Sequence, residues 1–209
     1  MTTASPVKAD LPRNATIDRK TNETEIHLVL ELDGTGASDV QTGIGFLDHL
    51  LDALARHGRF DLELSCQGDR QVDDHHTVED CGIALGRALQ EALGDRLGIA
   101  RFGYAYAPLD EALARAVVDV SGRPFARIDL GLRRERLGEL SCENIPHLLS
   151  SLAAAAGITL HVDVLAADND HHRAEAAFKA VALALKSAVA ASGFNDIPST
   201  KGTIGGVSP

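Results

Sequence analysis

Two copies of the pattern Asp-His-His-x-x-Glu stand out in this chain of 209 residues. The first copy runs from Asp74 to Glu79, and the second runs from Asp170 to Glu175. Imidazole nitrogens and carboxylate oxygens together suit first-row divalent metals. A solvated acidic helix start with unrelated histidines could explain one copy. Two copies, each followed by an apolar pattern of helical period, favour a metal site.

Helix geometry predicts how each copy presents its ligands. The first histidine and the glutamate are four residues apart, so they lie on one face of a helix. The second histidine is turned about 100° away. Each copy therefore offers a His/Glu pair to one ion and a lone histidine to another. We expect the copies to complete each other in trans: His75 and Glu79 with His172, and His171 and Glu175 with His76.

One further histidine precedes each copy by a similar interval. His49 lies in the first turn of an amphipathic helix, and His147 occupies the equivalent position in a later helix. One of the two should complete each ion, and the sequence leaves open which one. The candidate metal shell is therefore His49, His75, His76, Glu79, His147, His171, His172 and Glu175. The aspartates that could hold these imidazoles, or act as charges favoured at helix N-termini, are Asp74, Asp80 and Asp170.

The apolar pattern predicts the elements that position these residues. In the first half they are strand 24–32, helix 46–57, strand 61–66 and a helix from the first copy to about Leu93. The two strands alternate in polarity, and Gly94 is a typical residue for closing the helix. Asp33-Gly34 is typical of a tight hairpin turn.

The second half repeats this order. Its elements are strands 105–107, 113–120 and 125–130, an extended segment 137–140, helix 144–156, strand 158–165 and a helix from the second copy to about Ala191. Pro108 and the segment 121–124 should separate the first three strands. The copies are offset by about a hundred residues, which indicates an internal repeat.

This order predicts an α+β fold of two pseudo-repeated, βα-rich halves, each a mostly antiparallel sheet covered on one face by helices. The expected divisions are an N-terminal tail 1–12, a first half 13–99, a second half 100–197 and a C-terminal segment 198–209.

Cations and a hydroxyl form a second candidate group. Arg101, Arg123 and Lys201 fall in loops or at the ends of elements, and Ser199 lies two residues before Lys201. Charged donors beside a hydroxyl and a glycine suit a phosphate monoester. Any one of these cations alone could equally be a solvated surface charge.

Composition excludes several classes of function. The net charge of −10 argues against nonspecific nucleic-acid binding and against binding to anionic membranes. No apolar run approaches the length of a membrane span. The three cysteines form no Cys-x-x-Cys pair, so reduced thiols in a cytoplasmic protein are the simplest interpretation.

The chain resembles the imidazoleglycerol-phosphate dehydratase family from Arg13 to Gly202. The resemblance rests on Arg19-x-Thr21-x-Glu23-Thr24, Gly45-Phe46-Leu47-Asp48-His49, Asp74-His75-His76-Thr77-Val78-Glu79-Asp80, Arg101-Phe102-Gly103, Pro108-Leu109-Asp110-Glu111, Ser121-Gly122-Arg123-Pro124, His171-His172-x-x-Glu175-x-x-Phe178-Lys179-Ala180 and Pro198-Ser199-Thr200-Lys201-Gly202.

This resemblance implies a ribosomal S5 domain 2-like fold and an enzyme of histidine biosynthesis. It implies that D-erythro-imidazole-glycerol phosphate loses water to give imidazole-acetol phosphate, with two Mn(II) ions per active site at subunit interfaces. It also implies a homo-oligomer in which trimers assemble to 24 subunits. Ligand type alone would favour zinc, iron or nickel, so manganese follows from the resemblance.

The resemblance also implies a role for each candidate residue. The six histidines with Glu79 and Glu175 look like the metal shell. Arg101, Arg123, Ser199 and Lys201 look like the phosphate clamp, and Glu23 looks like a substrate contact and a possible proton-transfer group.

The chemistry of the expected substrate suggests a mechanism. The hydrogen to be removed is not next to a carbonyl, so no ordinary enolate can form. An imidazolate stabilised by the metals could instead expel the hydroxyl group. Glu23 or Glu175 is the candidate acid or base, and binding to a metal would make Glu175 the weaker base.

Two other classes of function fit the same residues. The chain could be a dinuclear metallohydrolase of phosphate esters, or a metal-binding assembly without catalysis.

Overall fold

The computed structural model describes residues 12–194 and 196–204. Residues 1–11 of the expected N-terminal tail and residues 205–209 of the expected C-terminal segment lie outside this part of the chain. The limits expected for the two halves remain predictions.

Six elements make up the first half of the described chain. They are β1 (Asn14–Lys20), β2 (Thr24–Glu31), β3 (Ser38–Gln41), α1 (Gly45–Gly58), β4 (Asp61–Gly68) and α2 (His75–Leu93). The alternation that predicts β2 is borne out, since Ile26, Leu28 and Leu30 are buried on one face of the strand. Helix α2 ends at Leu93, and Gly94 follows it with a positive φ of 53°, as expected of a closing glycine.

The second half follows the same order with one short hairpin added. Its elements are β5 (Phe102–Leu109), β6 (Ala112–Asp119), β7 (Phe125–Asp129), β8 (Arg136–Leu137), β9 (Leu140–Ser141), α3 (Asn144–Ala156), β10 (Thr159–Ala166) and α4 (Asp170–Val189). Strands β8 and β9 pair with each other, in the region where the sequence predicts a single extended segment.

The two four-stranded sheets have equivalent topologies. Their strand orders are β1-β2-β4-β3 and β5-β6-β10-β7. In each sheet two pairs are antiparallel, and the last strand joins in parallel: β3 along β4, and β7 along β10. The predicted α+β fold class, with repeated and mostly antiparallel sheets covered by helices, is confirmed.

The helices connect the two halves. Helix α2 packs on the first sheet through β1 and β2, and α4 packs on the second sheet through β5 and β6. Each of these long helices also packs against the shorter helix of the other half, α2 against α3 and α4 against α1. Apolar residues from both sheets and all four helices therefore form one continuous core.

Within residues 12–194 and 196–204, none of the four helices combines the length and the apolarity that crossing a membrane requires.

Two details of the sequence prediction are wrong. The Asp33-Gly34 turn does not make a hairpin, because β3 pairs in parallel with β4 at the far edge of the sheet. The turn is held instead by Asp61, whose carboxylate accepts the backbone N–H groups of residues 35–37. Pro108 does not end a strand but lies within β5. Strand β5 is at the edge of its sheet, where a residue without an N–H group is tolerated.

The contact between α2 and α3 depends on Gly86 of α2. A Cβ atom added at Gly86 would lie 2.4 Å from the carbonyl oxygen of Leu152 and 2.7 Å from Cβ of Ala155. The helix backbones can therefore approach each other closely only because Gly86 has no side chain.

Gly86→Ala should lower the free energy of unfolding by about 1–3 kcal/mol, because overpacking outweighs the better helix propensity of alanine. Gly45→Ala is the matched control, since a Cβ at that helical glycine meets nothing within 4 Å. Urea unfolding of both variants tests this. Equal stability of Gly86→Ala and Gly45→Ala would show that the interface tolerates the methyl group.

Candidate metal centre and phosphate clamp

The first metal-binding candidate joins the short helix of the first half to the long helix of the second. His49 Nε2 lies 3.0 Å from Glu175 Oε2, and His171 Nε2 lies 3.2 Å from the same oxygen. The other carboxylate oxygen of Glu175 accepts from Lys179 Nζ at 2.7 Å. The two imidazoles and the carboxylate oxygen therefore converge on one point, which we call the His49 triad.

The second candidate is its counterpart in the repeat, which we call the His147 triad. His147 Nε2 lies 3.2 Å from Glu79 Oε1, and the rings of His75 and His147 stack with centroids 4.8 Å apart. His75 Nδ1 lies 3.1 Å from the amide oxygen of Asn144, which leaves Nε2 as its ligand atom.

Local sequence and helix packing each contribute to these triads. The His/Glu pair of each comes from positions i and i+4 at the start of α2 or α4, as predicted. The third ligand comes from the first turn of the helix packed against it: α3 against α2, and α1 against α4. The tertiary structure thereby places His147 with the first copy and His49 with the second.

The donor sets fit divalent metal ions. In each triad the three ligand atoms lie within 4.8 Å of one another. Two imidazole nitrogens and one carboxylate oxygen form the kind of set that first-row divalent metals accept, and three protein ligands leave coordination positions open.

The second histidine of each copy lies outside both triads. As predicted, it is turned away from the first, with ring centroids 6.0 Å apart for His75 and His76. His76 Nδ1 lies 3.0 Å from a carboxylate oxygen of Asp69, and His172 Nδ1 lies 2.7 Å from Glu111 Oε2. The hydrogen bonds to Asp69 and Glu111 raise the pKa of the two imidazoles above the ordinary value for histidine.

The carboxylates that hold imidazoles are therefore not the three expected from the sequence. Asp74 accepts from the backbone N–H and hydroxyl of Ser141, and Asp170 accepts from two backbone N–H groups, those of residues 133 and 134. Asp80 accepts from the hydroxyl of Thr24 at 2.5 Å and pairs with Arg19. The hydrogen bonds of these three aspartates go to groups other than the imidazoles. Asp74 and Asp170, at the starts of α2 and α4, fit the other alternative, that they act as charges favoured at helix N-termini.

Sequence reasoning missed Asp69, Glu111 and Asn144 as partners of the histidines. Glu111 belongs to one of the family motifs quoted above, which is the only signal that could have found it. Asp69 and Asn144 lie near their histidines only through the pairing of loops and helices, which the local pattern does not encode.

Hydrogen bonds to Arg101 bring the neighbours of the other phosphate-clamp candidates to the start of β5. The guanidinium of Arg101 donates to both carboxylate oxygens of Asp119. Its Nη1 atom also donates to the carbonyl oxygen of Pro198 at 2.6 Å. The backbone carbonyl oxygen of Arg101 accepts from Val120 N–H at 3.0 Å, at the start of the segment that contains Arg123. Pro198, which directly precedes Ser199, is thus held beside Arg101.

The clamp lies at the opposite end of the helices from the triads. Arg101 N–H donates to Ala188 O at 2.8 Å, near the end of α4, so it is roughly 25 Å along the helix from His171. Thr159, just beyond α3, donates to the carbonyl oxygen of Arg123 at 3.3 Å. The end of α3 is roughly 14 Å along that helix from His147.

Glu23 lies at the same end of the molecule as the two triads. Its carboxylate is 3.6 Å from His76 Nε2, and about half of its side chain is exposed. Its backbone carbonyl accepts from Asp69 N–H at 3.0 Å, which links it to the residue behind His76.

Comparison with known proteins identifies the family of this chain. The sequence model of imidazoleglycerol-phosphate dehydratase matches residues 42–185, a span that includes both triads. The chain belongs to the imidazoleglycerol-phosphate dehydratase family. It is therefore an enzyme of the lyase class.

Individual relatives match over nearly the whole chain. The imidazoleglycerol-phosphate dehydratase of Kluyveromyces lactis is 54% identical over 215 aligned positions, covering 92% of this chain and 97% of that protein. The Staphylococcus aureus dehydratase structure has a TM-score of 0.77 and 35% identity, covering 85% of this chain and 99% of its own. The Pyrococcus furiosus structure, solved in complex with (S)-C348, has a TM-score of 0.78 and 32% identity. The match covers 90% of this chain and 100% of that chain.

The carboxylate of the His49 triad should make the stability of the metal-free chain depend on pH. Burial acts to raise the pKa of Glu175, but the hydrogen bonds from Lys179 and His49 lower it to about 2. A lowered folded-state pKa stabilises the protein above the unfolded value of about 4.3, and this stabilisation is lost as the pH falls toward 2.

The stability difference between the wild type and Glu175→Gln should therefore shrink between about pH 5 and about pH 2.5, which lies between the unfolded and folded pKa values of Glu175. Urea unfolding of both metal-free proteins measures it. Glu63→Gln, at an exposed position on β4, controls for the change in net charge. A difference that is the same at both pH values would contradict the assigned shift.

Proposed function

We propose that this chain dehydrates D-erythro-1-(imidazol-4-yl)glycerol 3-phosphate to 3-(imidazol-4-yl)-2-oxopropyl phosphate in L-histidine biosynthesis. Family membership supports the reaction, and the site supports the substrate class. Two imidazole-carboxylate triads suit metals that would hold a nitrogen heterocycle, and the residues around Arg101 suit its phosphate. The single observation that carries the proposal is the pair of triads, each built from both halves.

We propose two Mn(II) ions per active site. The His49 triad would hold one ion and the His147 triad the other, with His76 and His172 contributed by neighbouring chains. When bound, the ions would supply Lewis acidity and a template for the substrate's imidazole ring. The choice of manganese over zinc comes from the family resemblance.

The active site is proposed to lie between chains of a homo-oligomer, with trimers assembling to 24 subunits. The substrate's imidazole and phosphate are separated by a three-carbon chain. The triads and clamp of one chain are separated by most of the length of α3 and α4, far more than such a substrate spans. This separation supports a site in which a clamp from one chain meets a triad from another.

The outer face of the second sheet supports association. Phe102, Tyr104 and Tyr106 of β5 are more than half exposed, and Phe125 of β7 is also exposed. Exposed clusters of large apolar side chains commonly mark interfaces.

Proton transfer is proposed for Glu23 rather than Glu175. Glu175 is held by two imidazoles and Lys179, and its low pKa makes it a poor proton acceptor. Glu23 is more exposed and lies beside His76 Nε2, where it could reach a substrate held near that ligand. It is therefore the better candidate for moving a proton at the substrate carbon.

A cytoplasmic location is proposed on the basis of the cysteines. Cys66, Cys81 and Cys142 are free and buried, which fits a reducing compartment.

Turnover of imidazole-glycerol phosphate by metal-free protein, reconstituted with Mn(II), Zn(II) or nothing, tests the function. Mn(II) should restore formation of an enolisable ketone that absorbs in the ultraviolet after alkali. Release of inorganic phosphate instead would support the alternative dinuclear metallohydrolase. Metal uptake without either product would support a binding or storage protein.

Mixed assemblies test the proposed location of the site between chains. Arg123→Ala should raise KM, with a loss of roughly 1.5–3 kcal/mol from a charged hydrogen bond. His171→Ala should remove turnover by breaking the His49 triad. After dissociation and co-assembly, the mixture should contain some intact sites and gain turnover at low substrate.

Each variant assembled alone is the control for this experiment. Activity of the mixture equal to the average of the two separate variants would place clamp and triad in one chain.

A further inference from the structure

The repeat places a glutamate at the same position in each half. Glu23 is the last residue before β2, and Glu111 is the last residue before β6. Both follow the first strand of their sheet, in antiparallel pairs with equivalent places in the strand order. The two side chains nevertheless have different surroundings.

Glu111 is fully engaged behind His172. One carboxylate oxygen lies 2.7 Å from His172 Nδ1. The other accepts the backbone N–H groups of Asn169 at 2.9 Å and of Asp168 at 3.2 Å, just before α4. The carboxylate thus connects the β5–β6 turn to the start of the helix that carries His172.

Glu23 is on the other side of its histidine. It faces Nε2 of His76, while Asp69, from the loop between β4 and α2, occupies Nδ1. The carboxylate at Nδ1 therefore comes from the β4–α2 loop in the first half and from the β5–β6 turn in the second half. Glu23 is consequently free to face outward.

We propose that Asp69 and Glu111 are positioning residues for His76 and His172, and that this assignment frees Glu23, the counterpart of Glu111, to act on the substrate. A carboxylate at Nδ1 accepts a hydrogen bond from Nδ1–H, which keeps the ring proton on that nitrogen, leaves the Nε2 lone pair for a metal and fixes the ring orientation. His76 and His172 need such support because neither belongs to a triad in its own chain. The inference rests on the proposed function for its metal and substrate.

Binding of Mn(II) to the assembled, metal-stripped protein tests this assignment apart from turnover. Electron paramagnetic resonance of free Mn(II) gives the affinity. Glu111→Ala and Asp69→Ala should each weaken binding by about 10–100-fold, the usual effect of losing an outer-shell partner. Glu111→Gln should recover much of the loss, since an amide oxygen can still accept from Nδ1–H.

Glu23→Gln is the matched comparison at the equivalent position. It should leave the Mn(II) affinity at the wild-type value and lower kcat. His172→Ala and the double variant Glu111→Ala with His172→Ala separate positioning from a general effect on folding. If Glu111 acts through His172, the double variant should bind Mn(II) no more weakly than His172→Ala alone.

The outcomes distinguish this inference from the proposed function. Wild-type Mn(II) affinity in both Glu111→Ala and Asp69→Ala would overturn the inference alone, and so would additive losses in the double variant. Mn(II) binding with the expected pattern but no dehydration by the wild type would overturn the proposed function alone. A wild-type protein that binds no Mn(II) would overturn both.

Discussion

The structure depends on the packing of each long helix against the short helix of the other half. This crossed packing closes the core between the two sheets. It also brings the i and i+4 ligands of α2 and α4 against a histidine from the opposite half. Each triad draws ligand atoms from both halves, so the duplication contributes to the candidate metal site as well as to the core.

The direction of the helices has a second consequence. All triad ligands are near helix N-termini, whereas the cationic residues are beyond the C-terminal ends of α3 and α4. A rigid helix of this length separates the two groups within a chain. The proposed catalytic function would therefore need more than one chain, and the exposed aromatic residues of β5 are a candidate surface for that association.

The two halves share topology but have diverged in their exposed surfaces. The outer face of the first sheet is polar, with exposed Thr16, Asp18 and Glu63, while the outer face of the second carries aromatic side chains. The turn glutamates have diverged in the same way: Glu111 holds a histidine, and Glu23 faces outward. Equivalent backbone positions thus bear side chains with different contacts, because side chains on turns and outer faces do not pack in the core.

The sequence by itself determined the features set by short-range geometry. Alternation and helical period predicted most elements, and four-residue spacing predicted that His75 would face Glu79 and His171 would face Glu175. It wrongly suggested a hairpin at Asp33-Gly34. It did not determine the partner of His49 or the carboxylates that contact His76 and His172. These depend on which strands and helices meet, and long-range packing decides that. Only the tertiary structure could therefore join side chains more than sixty residues apart, such as His75 with Asn144 and His172 with Glu111.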